Sequence, residues 1–342
     1  MLDDLKQIHF GDKSDALGIA EKQWQQLEQE FEVENIEGTF ENVVYVGMGG
    51  SALAARLSMS WPGYNVPFEI VSSYNIPHYV SKKTLFVVCS YSGNTEETIS
   101  AYNEANKTDA TIVVISCGGQ LEELAAEREH IFIQIPPVSQ PRFATFYILK
   151  ALTTVLERAG LVKVNDAESQ IDSATEFLKE SINDWLPTMP TAKNMAKQIA
   201  QDVMGTSAVI YAGPLMAPAA YKWKISLNES AKNVAWWGQY PEFDHNEFVG
   251  WLAQPIEKPY TVIDLRSNLE HPQIQKRFKL SEKLLSGKRP HPIVVEVKGE
   301  NILEQLLYAV ALGDFVSLYT ALLNNVDPTE VALMEKLKKE LA

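Results

Sequence analysis

The chain of 342 residues carries 44 acidic and 30 basic side chains, a formal net charge of −14. The length suits about two domains at roughly 100–200 residues each. The charge excludes a nucleic-acid surface, because a phosphate backbone calls for a basic stripe. It leaves room for a small anionic ligand, which needs only a local pocket of donors. Hydrophobic residues make up 46%, enough for a sizeable core. Two cysteines, Cys89 and Cys117, lie in apolar runs and are too few for a disulfide framework or a zinc ribbon. They read as buried free thiols in a reducing compartment. The acidic start Met1-Leu2-Asp3-Asp4 lacks the pattern of a signal peptide. No stretch reads as the roughly 18 apolar residues of a membrane span, so a cytoplasmic protein with no membrane partner is expected.

A helix is expected over residues 1–35, where polar and apolar residues interleave through 20–31. Asn42-Val43-Val44-Tyr45-Val46-Gly47 is a short β-branched strand, followed by Gly49-Gly50-Ser51 and a helix over 52–59. Strands are expected at 68–72 and 84–89, the second closing into Ser90-Tyr91-Ser92-Gly93-Asn94-Thr95 before a helix over 96–106. Further strands fall at 111–116 and 131–135. Residues 143–200 read as helical, broken at Pro187 and Pro190. The alternation then resumes, with strands at 208–213, 260–265 and 293–297 and helices at 217–231, 272–285 and 302–323. A terminal helix opens at Asp327-Pro328, with Asp327 as N-cap and Pro328 in the first helical position. Continuous apolar strands alternating with helices indicate an α/β protein with doubly wound parallel sheets. The expected organisation is an N-terminal domain over 1–155, a helical connector over 156–200 and a C-terminal domain over 201–342.

Two strand-to-helix turns are rich in glycine and hydroxyl side chains: Gly47-Met48-Gly49-Gly50-Ser51 and Ser90-Tyr91-Ser92-Gly93-Asn94-Thr95. In a parallel sheet both lie at the carboxyl edge, where ligands bind. Each opens a helix, whose first N–H groups are unpaired and whose dipole end is positive. Gly50, Ser51, Ser90, Ser92 and Thr95 therefore form a candidate phosphate cradle that needs no lysine. Taken singly, such a turn is often a tight turn with a helix cap. Four hydroxyl or amide side chains within six residues exceed what one cap requires. Neither turn fits a nucleotide fingerprint: the first lacks the final glycine of G-x-G-x-x-G, and no G-x-x-x-x-G-K-[ST] run exists.

At these residues the chain resembles the phosphoglucose/phosphomannose isomerases built from two sugar-isomerase (SIS) domains. Ser90-Tyr91-Ser92-Gly93-Asn94-Thr95-Glu96-Glu97-Thr98 looks like their phosphate-binding segment, and Gly49-Gly50-Ser51 like their other phosphate turn. The resemblance implies that Ser51, Ser90, Ser92 and Thr95 hold a sugar 6-phosphate. It also implies the interconversion of glucose 6-phosphate and mannose 6-phosphate with fructose 6-phosphate. Moving a carbonyl from C1 to C2 requires a base that carries a proton between the carbons through an enediolate. Opening the ring needs a second acid/base group, for which histidine titrates in a useful range. The enediolate oxygen needs a positive neighbour.

The segments Leu227-Asn228-Glu229-Ser230-Ala231-Lys232-Asn233 and Pro241-Glu242-Phe243-Asp244-His245-Asn246-Glu247 match the family's N-E-x-x-K and P-E-x-x-H-N-E signatures. By resemblance Glu229 is the isomerisation base and His245 the ring-opening group. Alone, the first would read as a solvated glutamate and the second as a structural histidine. Asp244, Glu242 or Glu247 could orient His245. Arg142, after the proline-rich turn 136–141, is placed by the family at the enediolate oxygens, against the alternative of a surface salt bridge. The family carries a lysine in its last helix within a leucine–lysine pair. Leu337-Lys338 assigns it to Lys338, with Lys336 and Lys339 left open by spacing. A homodimer is implied, with His245 supplied across the interface. His78, His271 and His291 form no H-x-x-x-H or H-x-H pair, so no metal site and no cofactor are expected. Two other readings within the superfamily fit less well. A sugar-phosphate sensor would add a basic DNA-binding domain, and an amidotransferase isomerase domain would follow a glutaminase. Trp236-Trp237 and residues 165–200 match nothing in the pattern.

Overall fold

A computed structural model describes the chain apart from Asn35, residues 254–258, Ala342 and the side chains of Lys338, Lys339 and Leu341. Helices α1 (Leu5–Gly11) and α2 (Ala16–Glu21) replace the single helix expected over 1–35. The interruption is polar: the carboxylate of Asp12 accepts from Ala16 N and Leu17 N, both at 2.8 Å, and starts a new helix. Then follow β1 (Asn42–Val46), α3 (Leu53–Ser58), β2 (Phe68–Val71), β3 (Thr84–Cys89), α4 (Glu96–Ala105), β4 (Thr111–Ser116), α5 (Gln120–Glu127), β5 (Ile131–Gln134), α6 (Thr145–Arg158) and α7 (Ala167–Ile182). The second half comprises α8 (Met195–Val203), β6 (Ser207–Ala212), α9 (Ala217–Glu229), β7 (Ala235–Gln239) and α10 (Glu247–Gly250). It ends with β8 (Tyr260–Arg266), α11 (Pro272–Leu284), β9 (Ile293–Glu296), α12 (Ile302–Leu323) and α13 (Ala332–Leu341).

Contacts divide the chain into two compact units, residues 23–176 and residues 1–22 with 177–342. The division falls within α7, and residues 1–22 belong with the second half of the chain. The boundaries read from the sequence, 155 and 200, fall inside α6 and α8.

Residues 23–176 fold around a five-stranded parallel sheet of order β2-β1-β3-β4-β5. The β-branched strands are buried on both faces. Val44, Val46, Phe86, Val88, Ile112 and Val114 pack under α4 and α5. The alternate residues Val43, Tyr45, Leu85 and Val87 are equally buried, as a doubly covered parallel sheet requires. The sequence reading missed α5, a helix of two turns that opens after Gly118-Gly119.

The other unit holds a four-stranded parallel sheet of order β7-β6-β8-β9. The Trp236-Trp237 segment is its edge strand β7, which the sequence pattern did not reveal. The N-terminal residues are tied in by Lys197 on α8. Its buried ammonium donates to Pro187 O and Met189 O at 2.8 Å and pairs with Asp3 at 3.2 Å. Helix α13 begins at Ala332 rather than at Pro328. The Asp327 carboxylate instead accepts from Thr329 N at 2.8 Å, closing a local turn.

One expectation is corrected outright. Helix α12 is long and apolar enough to cross a membrane, with a mean hydropathy of 1.7 over its best 18-residue window. In this fold 94% of that window is buried within the protein. Its few polar residues are paired. Asp314 on α12 holds Lys222 on α9, and Ser226 donates to the same carboxylate oxygen at 2.8 Å. Both charged side chains are nearly inaccessible. Beside this pair Trp223 donates to Ala309 O at 2.7 Å, and a Cβ at Gly313 would lie 2.4 Å from the Trp223 ring. Asp314→Ala strands a buried ammonium and is expected to cost about 3–5 kcal/mol, measured by urea denaturation. The paired Lys222→Met, Asp314→Leu variant is expected to lose clearly less.

Candidate active site

The first unit carries the hydroxyl-rich turns. After β1 the chain makes a 3-10 turn, Gly49–Ala52, and passes into α3. After β3 it forms the 90–95 turn that opens α4. Both lie at the carboxyl edge of neighbouring strands. Ser51 Oγ accepts from Tyr91 N at 2.9 Å, so the first turn is bonded to the second. The same hydroxyl keeps its own O–H as a donor. Ser90 Oγ and Thr95 Oγ1 are hydrogen-bonded at 2.8 Å. Thr95 occupies the N-cap position of α4 yet makes no side-chain cap. The hydroxyl groups thus face one another rather than serving the helix, contrary to the simple capping alternative. Ser90 and Ser51 are buried, whereas Ser92 is exposed and accepts from Asn94 N at 3.3 Å.

Arg142 lies at the same carboxyl edge, after β5, in a 3-10 turn over Pro141–Phe143. It is 1% exposed and its guanidinium carbon sits 4.8 Å from the centroid of the Phe143 ring, which excludes a solvated surface salt bridge. Gly50 explains the approach, because a Cβ there would lie 2.9 Å from Arg142 N and 3.0 Å from the Pro141 carbonyl carbon. Tyr91 supplies the second tie. Its hydroxyl donates to Val138 O at 2.6 Å, anchoring the proline-rich loop to the 90–95 turn. Tyr91 was missed as a site residue because an aromatic inside a serine-rich turn carries no signal of a partner 47 positions away. The structure therefore gathers Gly50, Ser51, Ser90, Thr95 and Arg142 on one edge, with Ser92 at its solvent side.

Behind this edge Cys89 is completely buried, and burial pushes its thiol up to about 12. Cys117 is half-buried just past β4, less enclosed than its apolar run suggested.

The second unit carries Glu229 and His245, at opposite edges of its sheet. Glu229 is half-buried at the last turn of α9, which runs antiparallel to the strands and returns to their amino edge. The adjoining residues fix that position. Asn228 Oδ1 accepts from Ala235 N, the first residue of β7, at 2.9 Å, and Asn233 Nδ2 donates to Thr206 O, just before β6, at 3.0 Å. Lys232, the lysine of the same signature, donates to Asp327 O. His245 instead follows the carboxyl end of β7, in the 3-10 turn Glu242–His245. β7 alone spans about 16 Å at ~3.3 Å per residue, far outside hydrogen-bond reach.

His245 is exposed, and its imidazole has no hydrogen-bond or ion-pair partner among the described residues. The three carboxylates around it are engaged elsewhere. Asp244 pairs with Arg277 at 2.6 Å, Glu242 accepts from Asn246 at 2.8 Å, and Glu247 accepts from Tyr211 OH at 3.0 Å. The Lys338 side chain lies outside the described residues, while Lys336 on the same helix is exposed. Among the described residues no group of three or more His, Cys, Asp or Glu side chains is arranged to hold a metal ion.

The second sheet offers a contrast with the first. At the turn after β6, Glu270 Oε1 accepts from Leu215 N at 2.8 Å and from Met216 N at 3.4 Å. Its carboxylate is nearly buried, and desolvation raises its pKa despite those bonds. The backbone donors that hold an anion in such turns are here met by an internal carboxylate.

Two parallel sheets, one edged by linked hydroxyl-bearing turns, define a double SIS protein. A glucose-6-phosphate isomerase-like protein from Thermus thermophilus shares this fold, with a TM-score of 0.67, 18% identity and coverage of 99% of this chain and 98% of that one. Residues 192–341 match the family described as the bacterial phospho-glucose isomerase C-terminal SIS domain. The bifunctional phosphoglucose/phosphomannose isomerase of Aquifex aeolicus is 31% identical over 88% of this chain and 91% of its own length. That of Thermoplasma volcanium is 33% identical over 89% and 93%. The chain belongs to the bifunctional phosphoglucose/phosphomannose isomerase family.

Two outcomes test this geometry. Gly50→Ala overpacks the contact with the Arg142 backbone, at a cost of about 1–3 kcal/mol; it is expected to raise the KM for a sugar phosphate roughly tenfold in steady-state assays. In the native chain at pH 8, iodoacetamide is expected to modify Cys117 but not Cys89, whose thiol stays protonated until the pH nears its raised value. Mass spectrometry of the alkylated peptides reads the difference, and denaturation should release Cys89.

Proposed function

We propose that this protein interconverts glucose 6-phosphate and mannose 6-phosphate with fructose 6-phosphate. The observation that carries the reading is the bonded pair of hydroxyl-rich turns with a buried arginine packed on the same edge, in a chain of this family. The roles follow from the chemistry. Ser51, Ser90, Ser92 and Thr95, with the backbone N–H groups at their helix starts, hold the phosphate dianion. Arg142 stabilises the enediolate oxygens, and burial strengthens that interaction by excluding water. Glu229 moves the proton between C2 and C1. Its half-buried place at the last turn of an apolar helix supports this assignment over a fully solvated side chain. Lys338 is the terminal-helix lysine of this scheme.

His245 opens the sugar ring from a second copy of the chain. The opposite-edge placement of Glu229 and His245 supports this, because one copy holds them too far apart to serve one sugar. The exposure of His245, with its flanking carboxylates bound to its own fold, also fits a side chain offered outward. A symmetric dimer pairs each Glu229 with the other copy's His245. A cytoplasmic setting accords with two cysteines that form no disulfide.

A coupled assay with both aldose phosphates, with and without EDTA, tests the whole reading. Turnover of both substrates, unaffected by chelator, is expected. Sugar-phosphate binding without turnover would overturn it. Glu229→Gln is expected to lower kcat by about 10²–10⁴-fold, and near-normal turnover rejects this base. Mixing inactive Glu229→Gln and His245→Ala subunits should restore about a quarter of wild-type activity, since a mixed dimer keeps one intact site. No recovery in subunits shown to exchange would reject the shared site.

A further inference from the structure

We infer that Arg289 is a positioning residue for His245, acting through the aromatic floor beneath its turn. The inference rests on the ring-opening role proposed for His245. Arg289 follows α11 and is 8% exposed. Its Nε, Nη1 and Nη2 atoms are buried and make no hydrogen bond among the described residues. A guanidinium normally presents five donors in a fixed fork, and leaving them unmet in the interior is costly. A charge kept under those terms needs another compensation.

The compensation is aromatic. The guanidinium carbon lies 5.4 Å from the centroid of the Tyr211 ring and 5.7 Å from that of Phe243. Both distances are within the range of a cation–π interaction, which strengthens when the cation is desolvated. Phe243 is 1% exposed and belongs to the same 3-10 turn as His245, two residues before it. Its ring also packs on Tyr211 at 4.5 Å and on Tyr240 at 4.9 Å. A neighbouring anion, Asp264, lacks a full set of partners. Its Oδ2 takes Arg266 at 2.9 Å, while its buried Oδ1 has none among the described residues. Burial raises the Asp264 carboxyl, and the charge of Arg289 is among the groups that oppose the rise. Arg289 thus sits between an under-satisfied carboxylate and two ring faces, one of which is the floor of the His245 turn.

The same turn is also held at Asp244, by Arg277 at 2.6 Å and by Ser281 at 3.3 Å. The 3-10 turn is therefore held at two residues, Asp244 by an ion pair and Phe243 by a cation over its buried ring. Releasing the hold on Phe243 lets it shift and carries His245 with it. A displacement on the order of 1 Å at a catalytic group can cost about 10²-fold in rate.

A double-mutant cycle tests this. Arg289→Met keeps volume and removes the charge; Arg289→Lys keeps a cation at the ring faces. Arg289→Met is expected to lower kcat about 10²-fold, with KM changed less than about threefold because the phosphate is held by other residues. Arg289→Lys is expected to recover most of the loss. In a His245→Ala background, Arg289→Met should cost nothing further, since it acts through His245. Multiplying losses would show a general structural role and overturn the inference, as would wild-type kcat in a folded Arg289→Met chain. If Arg289→Met fails to fold, Arg289→Gln is carried through the same cycle and judged by the same criteria. Wild-type turnover in His245→Ala alone would instead overturn the ring-opening assignment, so the two failures are told apart.

Discussion

The contact between α9 and α12 fixes where α9 ends. Glu229 is the last residue of α9, and its position is set by what holds that helix along its length. Lys222 and Ser226 share the Asp314 carboxylate, while Trp223 closes over Gly313 and bonds to the α12 backbone. A buried ion pair is a poor source of stability compared with packed hydrocarbon. Its value lies in permitting one register: an otherwise apolar helix such as α12 could slide or rotate against α9 at little cost. A carboxylate that must meet an ammonium, and a glycine that must meet an indole, remove that freedom.

The two sheets use the same backbone device to different ends. In each, the turn after a central strand presents N–H groups towards the carboxyl edge. In the first unit those turns are linked through Ser51 and Tyr91, and the hydroxyls of Ser90 and Thr95 meet above them. In the second unit the Glu270 carboxylate occupies the equivalent donors. An anion site and an internally capped turn differ by one side chain reaching in from a neighbouring loop. The repeat of architecture therefore does not repeat the open, hydroxyl-lined turn.

His245 illustrates how an exposed side chain can ride on a firmly held turn without a side-chain hydrogen bond of its own. The ring of Phe243, the ion pair of Asp244 with Arg277 and the cation of Arg289 restrain the turn, not the imidazole. The imidazole itself is left without a hydrogen bond among the described residues. Glu229 and His245 themselves lie at opposite edges of the second sheet. A parallel sheet places the end of a crossover helix and the end of the next strand at different edges, so two residues close in sequence stand far apart within one chain.

The sequence by itself determined the strands of the first sheet, nearly to the residue, and the two turns at its carboxyl edge. Uninterrupted β-branched runs and glycine–hydroxyl clusters are local signals, and each needs only its own segment to be read. It also determined the bounds of α12 but not its membrane-span character, and a buried core helix and a membrane span look alike until partners are known. Edge strand β7 escaped because Trp236-Trp237 gave no alternation. The break between α1 and α2 escaped because it depends on where the Asp12 carboxylate points. Only the tertiary structure decided that Arg142 is buried against Gly50, that Glu270 plugs the second sheet's turn, and that Arg289 lies under Phe243. Each of these joins segments far apart in the chain, and no spacing rule along a sequence encodes which side chain will arrive across a fold.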